Sequence, residues 1–455
     1  MSSEIEVNDV HSQLNRARVA GVVEAASVAD LQRAVASHGV ISVCGGRHAM
    51  GGQQFASGAV LVDTRRMNRV LRVDQERGLA EVEAGIQWPQ LIERLGDGPW
   101  GIRQKQTGAD RLTIGGALAA NAHGRGLKMK PFIDDVESFT LVDAPGALIR
   151  ASRSENAELF RLAIGGYGLF GVFATVTLRL SQRQKLERVV EVLPAAELMA
   201  RFEERIAAGF LYGDFQYAID PESDDFLRRG IFSCYRPVDP ASPMPAAQRE
   251  LSDQAWIELL ELCHTDKTQA FLRYSDFYLA TSGQIYWSDT HQLSFYPDDY
   301  HRALDRKLRA PDRATEMITE IYVPRPELAG FLEEAAEDFR QNRVEVIYGT
   351  IRLIERDAES FLAWARQAWA CVIFNLHVVH TPQGIDHAAA AFRRLIDMAI
   401  RRRGSYFLTY HRWAARAQVE ACYPQFGEFL GLKKQHDPQE KFQSEWYRHY
   451  QGMCA

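Results

Sequence analysis

The chain has 455 residues, 46 % of them hydrophobic, with 53 Lys plus Arg against 59 Asp plus Glu and a net charge of −6. That length exceeds what one hydrophobic core serves, so at least two domains are expected, and the mixed, slightly acidic charge argues against a nucleic-acid surface. No apolar run reaches the roughly 18 residues of a membrane-spanning helix. The N-terminus lacks the basic and apolar regions of a signal peptide. Cys44, Cys234, Cys263, Cys371, Cys422 and Cys454 are scattered without a C-x-x-C pair, which reads as a reduced, cytoplasmic chain with no disulfide framework and no metal site.

Ala29 to Ser37 has the pattern of an amphipathic helix, and Val40 to Val43 that of a strand. The strand runs into C-G-G-R-H-A-M-G-G from Cys44 to Gly52. Glycines there allow φ > 0 and a concavity of N–H groups that binds phosphate; taken alone, the segment reads as readily as an ordinary turn with a surface histidine. Val60 to Asp63, Val70 to Val73 and Leu79 to Val82 are predicted as short strands and Trp88 to Leu95 as a helix.

Thr107 to Gly126 reads T-G-A-D-R-L-T-I-G-G-A-L-A-A-N-A-H-G-R-G. Its stretch from Leu112 to Ala122 is small and apolar, which suits backbone packed against a ring system. Glu137 to Val142 and Ala147 to Ala151 form a hairpin, Asn156 to Ile164 a helix, and Val172 to Leu180 an alternating strand. Gly166, Gly168 and Gly171 spell G-x-G-x-x-G, but the Rossmann fingerprint needs a strand before and a helix after. Here the order is reversed, which excludes a Rossmann site and bound NAD. Beyond Gln182 the alternations lengthen: Pro297 to Glu316 reads as a mobile surface loop, Glu320 to Pro324, Arg343 to Glu355 and Ala370 to His380 as strands, and Phe392 to Arg402 as a helix.

Three segments, around Gly45, Thr113 and Gly171, resemble in order and separation the flavin-binding domain of the vanillyl-alcohol-oxidase or p-cresol-methylhydroxylase (PCMH-type) family. In that family a G-x-G-H-S-like loop, a T-I-G-G-A…H-G segment and a G-x-x-G-V/I-x-x-x-T strand entry all face FAD. The resemblance runs from about Val22 to Leu180, with weaker echoes to the C-terminus. It implies an α+β, two-domain PCMH-type fold: residues 1–182 as the FAD-binding domain, 183–405 as a substrate domain of antiparallel sheet flanked by helices, and 406–455 returning to the FAD domain. Cofactor contacts then fall to Cys44, Gly45, Gly46, Arg47, His48, Ala49, Met50, Gly108, Thr113, Gly115, Gly116, Ala120, Asn121, His123, Val172 and Phe173.

His48 stands where sugar- and amine-oxidising members bond the flavin 8α-methyl, which implies covalent FAD and requires a neutral imidazole. Arg47 and Ala49 depart from the family pattern around it. No cysteine lies between Gly108 and Gly126 to make a second attachment. His123 matches the family's H-G near the pyrophosphate and ribityl chain; it reads equally as a histidine buried against backbone.

T-E-I-Y-V-P-R from Thr319 and I-R-L-I-E-R-D from Ile351 resemble segments of sugar-acid and aldonolactone oxidoreductases whose glutamate and arginine line the active site. Glu320 and Arg352, expected on neighbouring strands, would anchor substrate hydroxyls and stabilise the reduced flavin; the alternative is a surface ion pair. A base is sought among Tyr410, His411 and His377. His377 and His380 lie three apart on a strand, so at most one faces the flavin. The resemblance implies an FAD-dependent oxidoreductase taking hydride from a CH–OH carbon of a small polar polyol, sugar or aldonolactone, with oxygen or another electron acceptor. A relative acting on a hydrophobic alcohol, amine or natural product, or a flavin-bearing protein without turnover, are the other readings.

Overall fold

A computed structural model of the protein describes residues 4–294 and 299–454. Near the N-terminus, Val60–Asp63 pairs in parallel with Gly21–Glu24 on one side and Ile41–Cys44 on the other. Val28–Ser37 makes the helical crossover. Ser27 caps it by accepting from Asp30 N, and Leu31, Ala34 and Val35 are buried. Beside this lies a five-stranded antiparallel sheet in the order Leu148–Ser152, Val136–Val142, Val172–Arg179, Leu79–Glu83, Val70–Asp74. The helix Ala157–Ala163 precedes the strand Val172–Arg179, the order that excludes a Rossmann fingerprint.

An eight-stranded antiparallel sheet forms the second half. Its order is Ile285–Trp287, Lys185–Pro194, Arg229–Pro237, Tyr212–Tyr217, Val346–Ile354, Trp369–Val379, Ala314–Pro324, Ser405–Tyr406. Helices Leu328–Asn342 and Pro382–Arg401 cover one face, where Phe374 meets Phe331 and Phe339 at ring separations of 6.2 and 5.3 Å. Because strand side chains alternate, Ile373 and Asn375 must project from the opposite face.

The stretch from Pro297 to Glu316 is no surface loop. Residues 297 and 298 lie outside the described residues, but Tyr300–Leu308 is a helix and the next strand starts at Ala314. Tyr300 and Leu304 recur at helical spacing among the charges and are buried. Ala314 to Glu316 pair with Val379 to His377. Local charge hid an amphipathic face.

The chain end returns to the first sheet: Ile41 N donates to Lys441 O at 2.8 Å, and Gln443 N to Ile41 O at 2.9 Å. In the following helix, Glu445–Cys454, Trp446 is fully buried against Tyr167, and its Nε1 donates to Leu408 O. Among the described residues, no helix is long and apolar enough to cross a membrane. Trp446→Ala is expected to cost about 3–5 kcal/mol of stability and to loosen Tyr167, which lines the large cleft of the molecule. A fall in the thermal midpoint, with earlier release of bound cofactor on heating, checks this.

Candidate active site

A cleft separates the glycine-rich segments from the face of the eight-stranded sheet opposite the helices Leu328–Asn342 and Pro382–Arg401. One wall is small and smooth: Gly45, Gly108, Ala109, Gly115, Gly116, Ala119, Ala120 and Gly168. The other carries Ile318, Glu320, Tyr348, Thr350, Arg352, Ile373 and Asn375, closed by Phe407, Thr409 and Tyr410.

The first glycine pair is needed for close approach, not for positive φ. A Cβ on Gly45 would sit 2.1 Å from Thr113 Oγ1, and one on Gly46 would sit 2.2 Å from Arg111 O. The left-handed residue is Arg47, at φ 60°. Its side chain leaves the cleft for Asp63, 3.4 Å away. That turn delivers His48, Ala49 and Met50 to the lining beside Cys44. His48 Nδ1 lies 2.7 Å from His11 Nε2. Burial, with His11 beside it, holds His48 well below the ordinary histidine pKa, so the ring is neutral.

Thr113 starts the second segment by accepting from Gly116 N at 3.1 Å, while Gly115 N donates to Ala84 O at 2.7 Å. The helix Ile114–Ala120 thus presents Gly115, Gly116 and Ala120 to the cleft. Phe173 also lines it. Val172 does not: it points the other way, into the core around Leu31 and Val35. Asn121 and Gly46 likewise stay out of the lining. Asn121 turns left-handed at φ 48° to end its helix, and its side chain links Asp357 to Ile133 N.

On the sheet wall, Glu320 and Arg352 are separated by the strand Trp369–Val379, not adjacent as expected. Across it, Glu320 is level with Ile373 and Thr350, and Arg352 with Cys371 and Tyr322. Both are buried, at 0 % and 4 % exposure, which excludes a surface ion pair. Glu320 Oε1 accepts from the Tyr410 hydroxyl at 2.7 Å; Oε2 accepts from Tyr322 at 2.8 Å and lies 2.7 Å from His123 Nε2. Burial works to raise Glu320, but His123 and the two tyrosines bring its pKa down to about 2. His123 Nδ1 faces Gly124 O, a pure acceptor, and so carries hydrogen. Arg352 differs, because its Nε and Nη1 are buried with no hydrogen-bond partner.

His411 and His377 are not in the lining. His411 sits behind the sheet, 3.1 Å from Thr319 Oγ1 and stacked on Phe392, because Thr319 projects from the face opposite Glu320. His377 shares the pocket face with Ile373 and Asn375 but lies beyond them, against His264. Sequence reasoning missed His11, Gln53, Gln106, Thr107, Tyr348, Thr350 and Asn375 in the lining. His11 arrives because Asp9 accepts from His11 N, Gln13 N, Ser12 Oγ and Asn15 Nδ2, knotting the N-terminal segment beside the loop. No motif announces it.

A smooth wall of small residues, with buried polar atoms without a hydrogen-bond partner around the cleft (Gln106 Oε1, Thr107 Oγ1, Thr350 Oγ1, Asn375 Oδ1, and Nε and Nη1 of Arg352), suits an isoalloxazine and its substrate. The comparisons agree. Residues 19–152 match the family model described as FAD binding domain. The chain is 25 % identical over 396 residues to L-gulono-1,4-lactone dehydrogenase of Mycobacterium tuberculosis, covering 86 % of each chain. It is 33 % identical over 149 residues to the mitochondrial L-galactono-1,4-lactone dehydrogenase of Arabidopsis thaliana, 32 % of this chain and 24 % of that enzyme. It is 34 % identical over 140 residues to L-gulonolactone oxidase of Mus musculus, 30 % of this chain and 31 % of that one. The chain is therefore a flavoprotein. Residues 19–152, in its N-terminal third, carry the FAD-binding domain.

Glu320's folded pKa lies below its ordinary 4.5. Its contribution to stability is therefore complete above that value and lost as pH falls toward about 2. By about pH 3 the loss is about 2 kcal/mol from this group. Glu320→Gln is expected to be less stable at neutral pH by about 3 kcal/mol and to lose less on acidification. Urea midpoints of both proteins at neutral and acid pH check this.

Proposed function

We propose that the protein is an FAD-dependent oxidoreductase that oxidises a CH–OH carbon of a small polar substrate, with an aldonolactone as the favoured class. The reading is carried by Arg352, a buried guanidinium without an anion, facing the cleft beside the ionised Glu320. Bound FAD supplies the two-electron acceptor for hydride. Backbone around Gly45, Gly115 and Gly168 would hold it against the small-residue wall.

The chain's own residues divide the remaining work. The Arg352 guanidinium neutralises charge gathering in the cleft. Thr350 Oγ1 and Asn375 Oδ1, buried and unbonded, hold substrate hydroxyls. The Tyr410 hydroxyl donates to Glu320 and can accept from the reacting hydroxyl, so that O–H is polarised along one line. Glu320, satisfied by its donors, fixes Tyr410 and leaves proton acceptance to the wider chain and solvent. Residues 1–182, 183–405 and 406–455 serve in this reading as the FAD-binding, substrate and returning segments. Five described cysteines are unpaired thiols, which supports a reducing, cytoplasmic setting; oxygen or another acceptor takes the electrons.

The test is anaerobic bleaching of the flavin. L-Gulono- and L-galactono-1,4-lactone are expected to reduce it, and simple alcohols and amines are not. Arg352→Met should slow reduction about 10²–10³-fold while the protein keeps its flavin; an unchanged rate rejects the role given to Arg352.

We further propose that His48 holds FAD covalently. Its ring is neutral and half-buried, lines the cleft, and is steadied by His11. Acid-precipitated protein should stay yellow and gain the mass of one FAD. His48→Ala should bind FAD in the native state but release it on precipitation. A colourless precipitate of the unaltered protein refutes the bond.

A further inference from the structure

On the pocket face of the eight-stranded sheet, three cross-strand pairs follow one another: Glu320 with Ile373, Ile318 with Asn375, Glu316 with His377. The first two line the cleft. The third lies about 7 Å further along the strands, outside it. There Glu316 and His377 meet His264, from the helix Asp253–Thr265, and His301, from the helix Tyr300–Leu308. One donor atom each of His264, Glu316 and His377 lies within 4.8 Å of the others. His264 Nε2 is 3.4 Å from Glu316 Oε1, and His301 Nε2 is 3.2 Å from Oε2.

Glu316 is 2 % exposed; the Tyr300 hydroxyl faces it along with the histidines, but neither of its oxygens makes a hydrogen bond of normal geometry, and His264 Nε2 and His377 Nδ1 are likewise buried without one. Buried polar atoms are ordinarily paired, and a charged one left unpaired is strongly destabilising. Glu320 provides the contrast. It too stands near a histidine and a cysteine, His123 and Cys371, at ligand-like spacing, but its oxygens are taken by His123, Tyr322 and Tyr410.

We propose that His264, Glu316 and His377 bind one divalent transition-metal ion of the zinc class, with His301 steadying the second oxygen of Glu316 and a fourth position left for water. Two nitrogens and one carboxylate oxygen suit zinc-like ions, whereas calcium and magnesium favour all-oxygen shells. Metal bonds of about 2.0–2.2 Å set tetrahedral donors roughly 3.3–3.6 Å apart, the spacing the His264–Glu316 contact already has. A histidine bonded to a ligating carboxylate is the usual outer support of such a site. The ion fastens the two helices to the sheet at the outer end of the cleft, next to Ile318 and Asn375. This site is independent of what the flavin oxidises.

The test uses the holoprotein, stripped with a chelator and titrated with Zn²⁺ at neutral pH. One zinc per chain is expected, counted by elemental analysis after gel filtration, with flavin content unchanged and a higher thermal midpoint. His264→Asn and His377→Asn should each weaken uptake by at least about tenfold while the flavin spectrum reports an intact fold. Pulsed EPR of the Cu²⁺-loaded unaltered protein, expected to show two coordinated imidazoles, needs no variant to fold. No stoichiometric uptake, uptake unchanged in both variants, or no coordinated imidazole each overturns the site.

Discussion

Glu320 is a carboxylate removed from water, and what replaces its water decides how the parts of the molecule meet. Desolvating such a group costs several kcal/mol unless fixed donors surround it. The donors come from three places. His123 follows the glycine-alanine helix of the FAD half, Tyr322 lies on the same strand as Glu320, and Tyr410 belongs to the returning segment. Shifting any of the three leaves a buried charge incompletely bonded. The same returning segment binds the first glycine loop, through Met50 N to Thr409 O and Gln53 Nε2 to Leu408 O. The two walls of the cleft are thus set against each other by hydrogen bonds that meet at one carboxylate and the residues next to Tyr410.

The cleft is electrostatically lopsided. Glu320 has donors for both oxygens, but Arg352 has no acceptor for Nε or Nη1. Cys371 stands level with Arg352 and 3.8 Å from Glu320 Oε2, so the two charges share one desolvated patch without pairing directly. A guanidinium is weakly hydrated and stays charged at any working pH. A buried one that lacks an anion favours whatever brings partial negative charge into the cleft. This argues for a ligand carrying carbonyl or anionic character at that point.

The parts of the site legible in the sequence are those whose chemistry is local. The small wall of Gly115, Gly116 and Ala120 and the delivery of His48 to the cleft lining each follow from a few consecutive residues. Strand alternation also told that His377 and His380 could not both face the cleft. Sheet order was not legible. Nothing in the separation of Glu320 from Arg352 says that Trp369–Val379 lies between them, because a strand later in the chain takes the middle position. Nor does sequence say that Tyr410 and His411 part company, one bonding Glu320 on the pocket face and the other Thr319 behind it. His11 and Asn375 were invisible for a related reason, since only tertiary placement brings them to the lining. Pro297 to Glu316 failed differently: charge density outweighed the spacing of Tyr300 and Leu304.

Alternation on the strand Ala314–Pro324 also explains how one sheet serves several ends. Met317, Thr319 and Ile321 belong to the helix-covered side, where cohesion comes from apolar packing. Glu316, Ile318, Glu320 and Tyr322 fall on the other side. Two carboxylates four residues apart on a buried face are costly unless each has its own solvation, and their surroundings differ accordingly. Glu320 is bonded by hydroxyls and the His123 imidazole, whereas Glu316 is ringed by histidines that leave its oxygens without normal hydrogen bonds. Apolar Ile318 separates them. Donors that complete a carboxylate make a fixed anchor, while histidines that leave its oxygens open make a place for a cation, so one pleat sets two chemically distinct centres side by side.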